Sequence, residues 1–326
     1  MKRILRACAS GGAAVALALT VAGCGGTVAD PGTEQQGASG EGVTVQSARG
    51  PVTLPAPAKR VVSLELTYTE ELLALGVPPV GNADNDTYNT WVSAPGTELP
   101  PEVTDVGSRS EPSLEQIKAL QPDLIVAPED RVGANYEALQ EIAPVVSLDY
   151  TAKPQLETMK KNFTELGKAT GKQDKSTQVL GQLDTKIAET RTKLEAAGKA
   201  GAPYAIGQAP TADPSIRLLG DDSMVAQVLN AAGLKNTWQG QPDEWGMTTV
   251  GVEALTQIPD NATFMYVASK KSDPFKGAIA ANPVWQNLPF VQQDRAKALD
   301  PGTWFFGGPL SAMQLLDETA KAMQVR

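Results

Sequence analysis

Residues 172–198 read KQDKSTQVLGQLDTKIAETRTKLEAAG, a charged stretch in which Val179, Leu180, Leu183, Ile187 and Leu194 recur at near-helical intervals. No proline and no run of loop residues interrupts it. At ~1.5 Å of rise per residue, one helix of this length spans roughly 40 Å, enough to cross a whole small domain. One long surface helix satisfies the pattern. A rigid strut between two lobes satisfies it better, because short β-rich runs alternate with helical patterns on both sides of it.

On the N-terminal side the predicted strands are Arg60-Val61-Val62-Ser63-Leu64, Asp123-Leu124-Ile125-Val126-Ala127 and Val145-Val146-Ser147-Leu148. A helix is predicted near Thr69, with Glu70 and Glu71 in its first turn, then Leu72, Leu73 and Leu75, and a stop at Gly76. Another starts at Ser113, where Ser113 and Gln116 have capping-box spacing, and runs through Leu120. After the long helix the alternation resumes with Tyr204-Ala205-Ile206, Met224 to Ala232, and Phe264-Met265-Tyr266-Val267-Ala268. The fold class is therefore α/β: two Rossmann-like lobes, residues 43–171 and 200–326, joined by one long rigid α-helix over 172–199, with the ligand cleft between the lobes.

The N-terminus has another character. Lys2, Arg3 and Arg6 precede an apolar run from Ala13 to Val21, followed by Val21-Ala22-Gly23-Cys24. The run is far short of the ~20 residues that a membrane-spanning helix needs, so residues 1–23 read as an export signal. A cysteine directly after two small residues resembles a lipobox, which makes Cys24 the lipidated first residue of the mature chain. Cys8 leaves with the signal, so no disulfide is possible afterwards. Residues 24–42 hold almost nothing to bury and read as a flexible tether. The expected location is the outer face of the cytoplasmic membrane.

Composition excludes several chemistries. The formal charge is −9, and loss of Lys2, Arg3 and Arg6 takes the mature chain to −12. So acidic a protein has no affinity for nucleic acid. The chain contains no histidine, which removes Ser-His-Asp and Cys-His catalysis and every imidazole-ligated zinc, copper or haem site. Without a nucleophile elbow, a base partner or a Gly-rich phosphate loop, an anchored hydrolase has no residues to stand on, and no catalytic residue is assigned. No cluster has metal-ligand spacing, since Asp221-Asp222 is an ordinary helix-start pair, so no metal is expected to be held directly.

A faint repeat links the lobes. Ser113-Leu114-Glu115 is followed by Ile117, Leu120 and Pro122-Asp123 before a strand; Gly251-Val252-Glu253 is followed by Leu255, Ile258 and Pro259-Asp260 before a strand. Each glutamate precedes its apolar residues by two and five places, so both sit on a helix's first turn with the same face packed. Either alone complements a helix dipole. The matched pair reads as a docking pair for a partner.

These segments, with others, resemble the ferric-siderophore-binding lipoproteins of ABC importers, the iron-siderophore members of the class III periplasmic-binding-protein fold. The resemblance rests on Ala58-Lys59-Arg60-Val61-Val62, Ala74-Leu75-Gly76-Val77-Pro78-Pro79-Val80-Gly81, Val106-Gly107-Ser108-Arg109 and Pro112-Ser113-Leu114-Glu115. It continues through Pro122 to Ala127, Ile142-Ala143-Pro144-Val145, Asn282-Pro283-Val284-Trp285, and Trp304 with Gly307-Gly308-Pro309-Leu310-Ser311-Ala312. The likeness runs in the family's order from about Val43. It implies a monomer that carries no permanent cofactor, binds an Fe(III)-siderophore, and docks on a permease dimer through arginines that meet Glu115 and Glu253.

In α/β lobes, ligands sit outside the carboxyl ends of strands. Arg131 follows the Asp123–Ala127 strand, Arg109 lies in the loop before the Ser113 helix, and Arg217 lies in a loop before the Met224 helix. The resemblance implies that Arg131 and Arg109 contact the chelating oxygens, to which a guanidinium's fixed fork is suited. The competing reading of each is a solvated arginine or a weak pair with an acid such as Asp130 or Glu111. Tyr88 and Trp91, in a polar stretch taken as loop, and Trp245 and Trp304 are the candidate aromatic contacts for a flat chelate, whereas Trp285 and Phe290 fit a core. The alternative cargoes are haem or a corrinoid; a sensor or adhesin lipoprotein is the alternative outside transport.

Overall fold

The protein is described by a computed structural model over residues 42–210, 213–269 and 271–325. The expected signal, Cys24 and all of the expected tether but Gly42 lie outside the described residues.

The N-terminal lobe is built on a wholly parallel sheet. Its spatial order is Thr104–Asp105, Gly81–Asn82, Val61–Ser63, Leu124–Pro128, Val145–Leu148. The chain moves outward in one direction from Val61–Ser63 and then returns to that strand's other side. Strand order thus reverses between Val61–Ser63 and Leu124–Pro128, and at such a reversal a crevice opens outside the carboxyl ends of the strands. Every residue of Val61–Ser63, Leu124–Pro128 and Val145–Leu148 is buried, as a sheet covered on both faces requires.

Helix starts follow their caps. Ser113 accepts from the Gln116 amide at 3.4 Å and begins the Leu114–Ala119 helix, in line with the capping-box spacing. The helix expected near Thr69 instead spans Leu66–Ala74, because Glu65 caps it by accepting from the Leu66 amide at 2.9 Å. Glu70 and Glu71 therefore lie in mid-helix, fully buried, not in an exposed first turn.

The C-terminal sheet is mixed. Pro203–Ala209, Thr263–Ala268 and Ala296–Ala298 run parallel. Ile216–Leu219 pairs antiparallel with the end of Pro203–Ala209 and carries Met247–Val250 antiparallel on its outer edge. Phe264, Phe275, Trp285 and Phe290 pack together beneath this sheet, so Trp285 and Phe290 are core as expected.

The long helix covers Gln173–Ala196. Val179 packs with Phe163 and Leu166 in an N-terminal core, while Leu183, Ile187 and Leu194 pack with Tyr204, Val228 and Leu229 in the other lobe. One stripe of a single helix is thus shared between two cores. The helix is not the sole connection. The second core is continuous with Leu66, Tyr88 and Trp91 of the N-terminal lobe and with Trp304, Phe305 and Leu315 of the C-terminal one.

A buried polar tie reinforces this seam. Glu70 accepts from the Gly308 amide (2.9 Å), the Ser311 amide (2.8 Å) and the Ser311 hydroxyl (2.5 Å), at the N-terminus of the Pro309–Ala322 helix. A carboxylate there meets unpaired amides and the positive end of a helix dipole. The two glycines explain themselves: a Cβ at Gly307 would lie 2.4 Å from a Glu70 oxygen, and one at Gly308 would lie 2.7 Å from Glu71 Cγ.

Glu71 is treated differently from its neighbour. Neither carboxyl oxygen has a hydrogen-bond partner among the described residues, and burial, then the charge of Glu70, pushes its pKa well above the ordinary carboxyl value. The folded state therefore favours the proton, while the unfolded chain releases it in the ordinary carboxyl range. Stability from this group is full below that range and falls as pH rises through it. Glu71→Gln is expected to raise stability near pH 7.5 and to change little near pH 4. Thermal melts of both proteins across pH check this; an equal gain at both pH values contradicts it.

Candidate functional site

The cleft opens where the reversal of strand order puts it. Its walls are Glu65, Arg109, Arg131, Tyr150, Arg217, Trp245, Met247, Trp304 and Phe306, around a space of about 210 Å³ that opens to solvent. Glu65 follows Val61–Ser63, Arg131 lies in the Glu129–Val132 turn of helix directly after Leu124–Pro128, and Tyr150 follows Val145–Leu148. Three adjacent strands of the parallel sheet thus each deliver one polar side chain from the carboxyl end. Arg109 comes from the loop after Thr104–Asp105.

A hydrogen-bonded chain runs through these groups. Glu65, only 2% exposed, accepts from Arg109 Nη1 at 2.9 Å through Oε1 and from Arg131 Nη1 through Oε2. Arg109 also donates from Nε to Asp84 Oδ2 at 3.0 Å, and Arg131 Nε lies 3.3 Å from Asp130. Arg131 Nη2 donates to the Tyr150 hydroxyl at 2.6 Å, and Trp245 Nε1 from the other lobe donates to the same oxygen at 3.1 Å. Burial pushes the Asp130 carboxyl up and the Tyr150 phenol above its usual value, so Tyr150 stays neutral and works as a hydrogen-bonding hub. Part of each guanidinium's set of five N–H donors remains for a ligand.

The C-terminal lobe supplies the opposite wall. Arg217 lies within the strand Ile216–Leu219, a correction to its expected place in a loop. Its partner Thr249 and the Leu219–Met247 pair share one face of the antiparallel ribbon, so Arg217 and Met247 are diagonal neighbours there. Asp243 Oδ1 accepts from the Trp245 and Met247 amides, both at 3.0 Å, and so shapes the turn that carries Trp245. Trp304 meets Phe306 edge-on at 5.2 Å.

The structure thus gathers Arg109, Arg131, Arg217, Trp245 and Trp304 into one cleft. It does not place Tyr88 or Trp91 there. Their stretch is a helix, Asn85–Trp91, and the two rings are buried in the interlobe core, with the Tyr88 hydroxyl donating to the Thr97 carbonyl at 2.8 Å. Asn, Asp and Thr make that stretch read as loop, whereas burial of two rings three residues apart holds it helical. Trp91 backs Trp304 with ring centroids 6.1 Å apart, so it supports a cleft residue from behind. Glu65, Tyr150, Met247 and Phe306 are cleft residues beyond those expected; the signal for the first two was their position just past predicted strands. Glu115 and Glu253 are both exposed on the first turns of their helices, and neither lines the cleft. Among the described residues no three acidic or cysteine side chains gather as a metal site, and no helix is long and apolar enough to cross a membrane.

The sequence pattern of the family described as periplasmic binding protein matches residues 61–303, which contain every cleft residue named above except Trp304 and Phe306. The chain belongs to the periplasmic binding protein family. Among similar periplasmic binding proteins, the iron(3+)-hydroxamate-binding protein FhuD of Escherichia coli strain K12 is 32% identical, over 79% of this chain and 84% of the relative. The Fe(3+) dicitrate-binding periplasmic protein FecB of the same organism is 30% identical, over 85% of this chain and 89% of the relative. The crystal structure of Fe3+-Desferal-bound FhuD from Vibrio cholerae superposes with a TM-score of 0.74 at 27% identity, covering 81% of this chain and 97% of that one. The two-lobed α/β fold of periplasmic binding proteins is accordingly the fold of this chain.

Proposed function

We propose that this protein captures an Fe(III)-siderophore in the interlobe cleft and delivers it to the permease of an ABC importer, while lipid on Cys24 holds it at the outer face of the cytoplasmic membrane. The observation that carries the reading is the convergence of three arginines with Trp245 and Trp304 on one cleft at the carboxyl ends of the parallel strands. Guanidinium forks suit the polarised oxygens of an iron chelate, and indole faces suit its flat apolar sides. The iron arrives as cargo within its own chelator. The cleft then has no bond to make or break, and the protein acts as a non-catalytic receptor. Relatives named for ferric hydroxamate and ferric dicitrate support the cargo class.

The test is direct. Titrating the purified chain, without its first 23 residues, with ferric tris-hydroxamate, ferric tris-catecholate, ferric dicitrate, haem and cobalamin should quench tryptophan fluorescence with an iron chelate at micromolar concentration or below. Failure of every iron chelate to quench overturns the reading.

Delivery has a separate signature. Glu115 and Glu253, exposed and one on each lobe, form the docking pair, and such charges act through orientation and association rate. Replacing both by Ala is expected to abolish iron uptake in cells while the chelate's dissociation constant stays within about twofold. Lost chelate binding by that double variant contradicts the assignment.

A further inference from the structure

Two of the three arginines of the cleft are not free positive charges. Arg109 is held by Glu65 and Asp84, and Arg131 by Glu65 and Asp130. Counting Arg217 on the opposite wall, which pairs with no carboxylate among the described residues, three guanidiniums stand against three carboxylates, and the formal charge of these six groups sums to zero. Asp84 and Asp130 keep 27% and 19% of their side chains exposed, so water screens them in part. Glu65 is different: it is 2% exposed, lies on the cleft wall, and bridges both arginines at the strand reversal. It holds the guanidiniums in register for a ligand and cancels one unit of the attraction they would exert on an anion.

Resting on the siderophore reading above, we infer that Glu65 makes this cleft selective for an iron chelate with little or no net charge, and against a trianionic one. The chemistry of chelators supplies the contrast. Three singly charged hydroxamates neutralise Fe(III), whereas three doubly charged catecholates leave a trianion. A trianion entering the cleft must give up its hydration, a large cost for a charged group. Paired arginines return little of it, since each attraction is opposed by a carboxylate a few ångströms further on. A neutral chelate carries no such cost. It needs only directed N–H donors on its polarised oxygens, and those the bridged arginines retain. The overall charge of −9 opposes the trianion at longer range as well.

The experiment compares wild type with Glu65→Gln, which keeps an oxygen for the Leu66 amide and for one arginine. Dissociation constants are measured by tryptophan quenching for ferric tris-hydroxamate and ferric tris-catecholate at low and moderate salt. Wild type should bind the neutral chelate at least ~10-fold more tightly, with little salt dependence. In Glu65→Gln the affinity for the trianion relative to that for the neutral chelate should rise about 10-fold or more, because any loss of guanidinium register falls on both chelates alike. A wild-type preference for the trianion overturns the inference even if the variant fails to fold, and so does an equal shift of both chelates in the variant. These failures leave the siderophore reading standing, because a chelate has still bound. Absence of quenching by either chelate and by ferric dicitrate sinks that reading, and this inference with it.

Discussion

Arg131→Ala is expected to weaken binding of the preferred ferric siderophore about 100-fold, or ~2.8 kcal/mol at 1.4 kcal/mol per tenfold. The size follows from what the side chain joins. Its guanidinium meets Glu65, Asp130 and Tyr150 at once, and through Tyr150 it sets the position of Trp245 on the other lobe. Removal takes donors from the ligand, leaves Tyr150 to Trp245 and Asp130, and leaves Glu65 with Arg109 as its one guanidinium. Arg131→Lys should recover little, because one ammonium cannot span Glu65 and Tyr150 as the planar fork does. Fluorescence titration with a melting control measures both variants. An Ala variant that binds within threefold of wild type would show that the cleft is occupied elsewhere.

Glu70→Ala should cost about 3–5 kcal/mol of stability, roughly 10 °C in melting temperature for a chain of this length. The carboxylate serves three donors of the other lobe in a site closed to solvent. Its loss strands two amides and a hydroxyl in the interior, and each stranded buried group is expensive. Glu70→Gln should cost less, since one oxygen can still accept. Calorimetry on the three proteins decides it; an Ala variant that melts within 2 °C of wild type removes Glu70 from the account of what joins the lobes.

Much of the architecture was legible because it rests on local patterns. Val145–Leu148 reads as a strand and is one, and the apolar spacing from Val179 to Leu194 marks the helix shared by the two cores. What escaped depends on partners distant in the chain. Nothing near Arg217 says that its segment pairs with Gln208 and Thr249, so a strand passed for a loop. Glu70 and Glu71 read as dipole-complementing residues of a first turn because their burial is imposed by Gly307 and Gly308, more than 230 residues away. The arginines were found by their place after strands, whereas Glu65, equally placed directly after one, was not singled out. Its bridging role exists only once Arg109 and Arg131 are brought to it.

The seam between the lobes bears on traffic at the membrane. A shared helix, a continuous apolar core and the Glu70 tie leave little freedom for the halves to swing about each other. If the protein docks as proposed above, empty and loaded molecules are expected to show nearly the same outline to a transporter, and surplus empty receptor is then expected to act as a competitive brake on import.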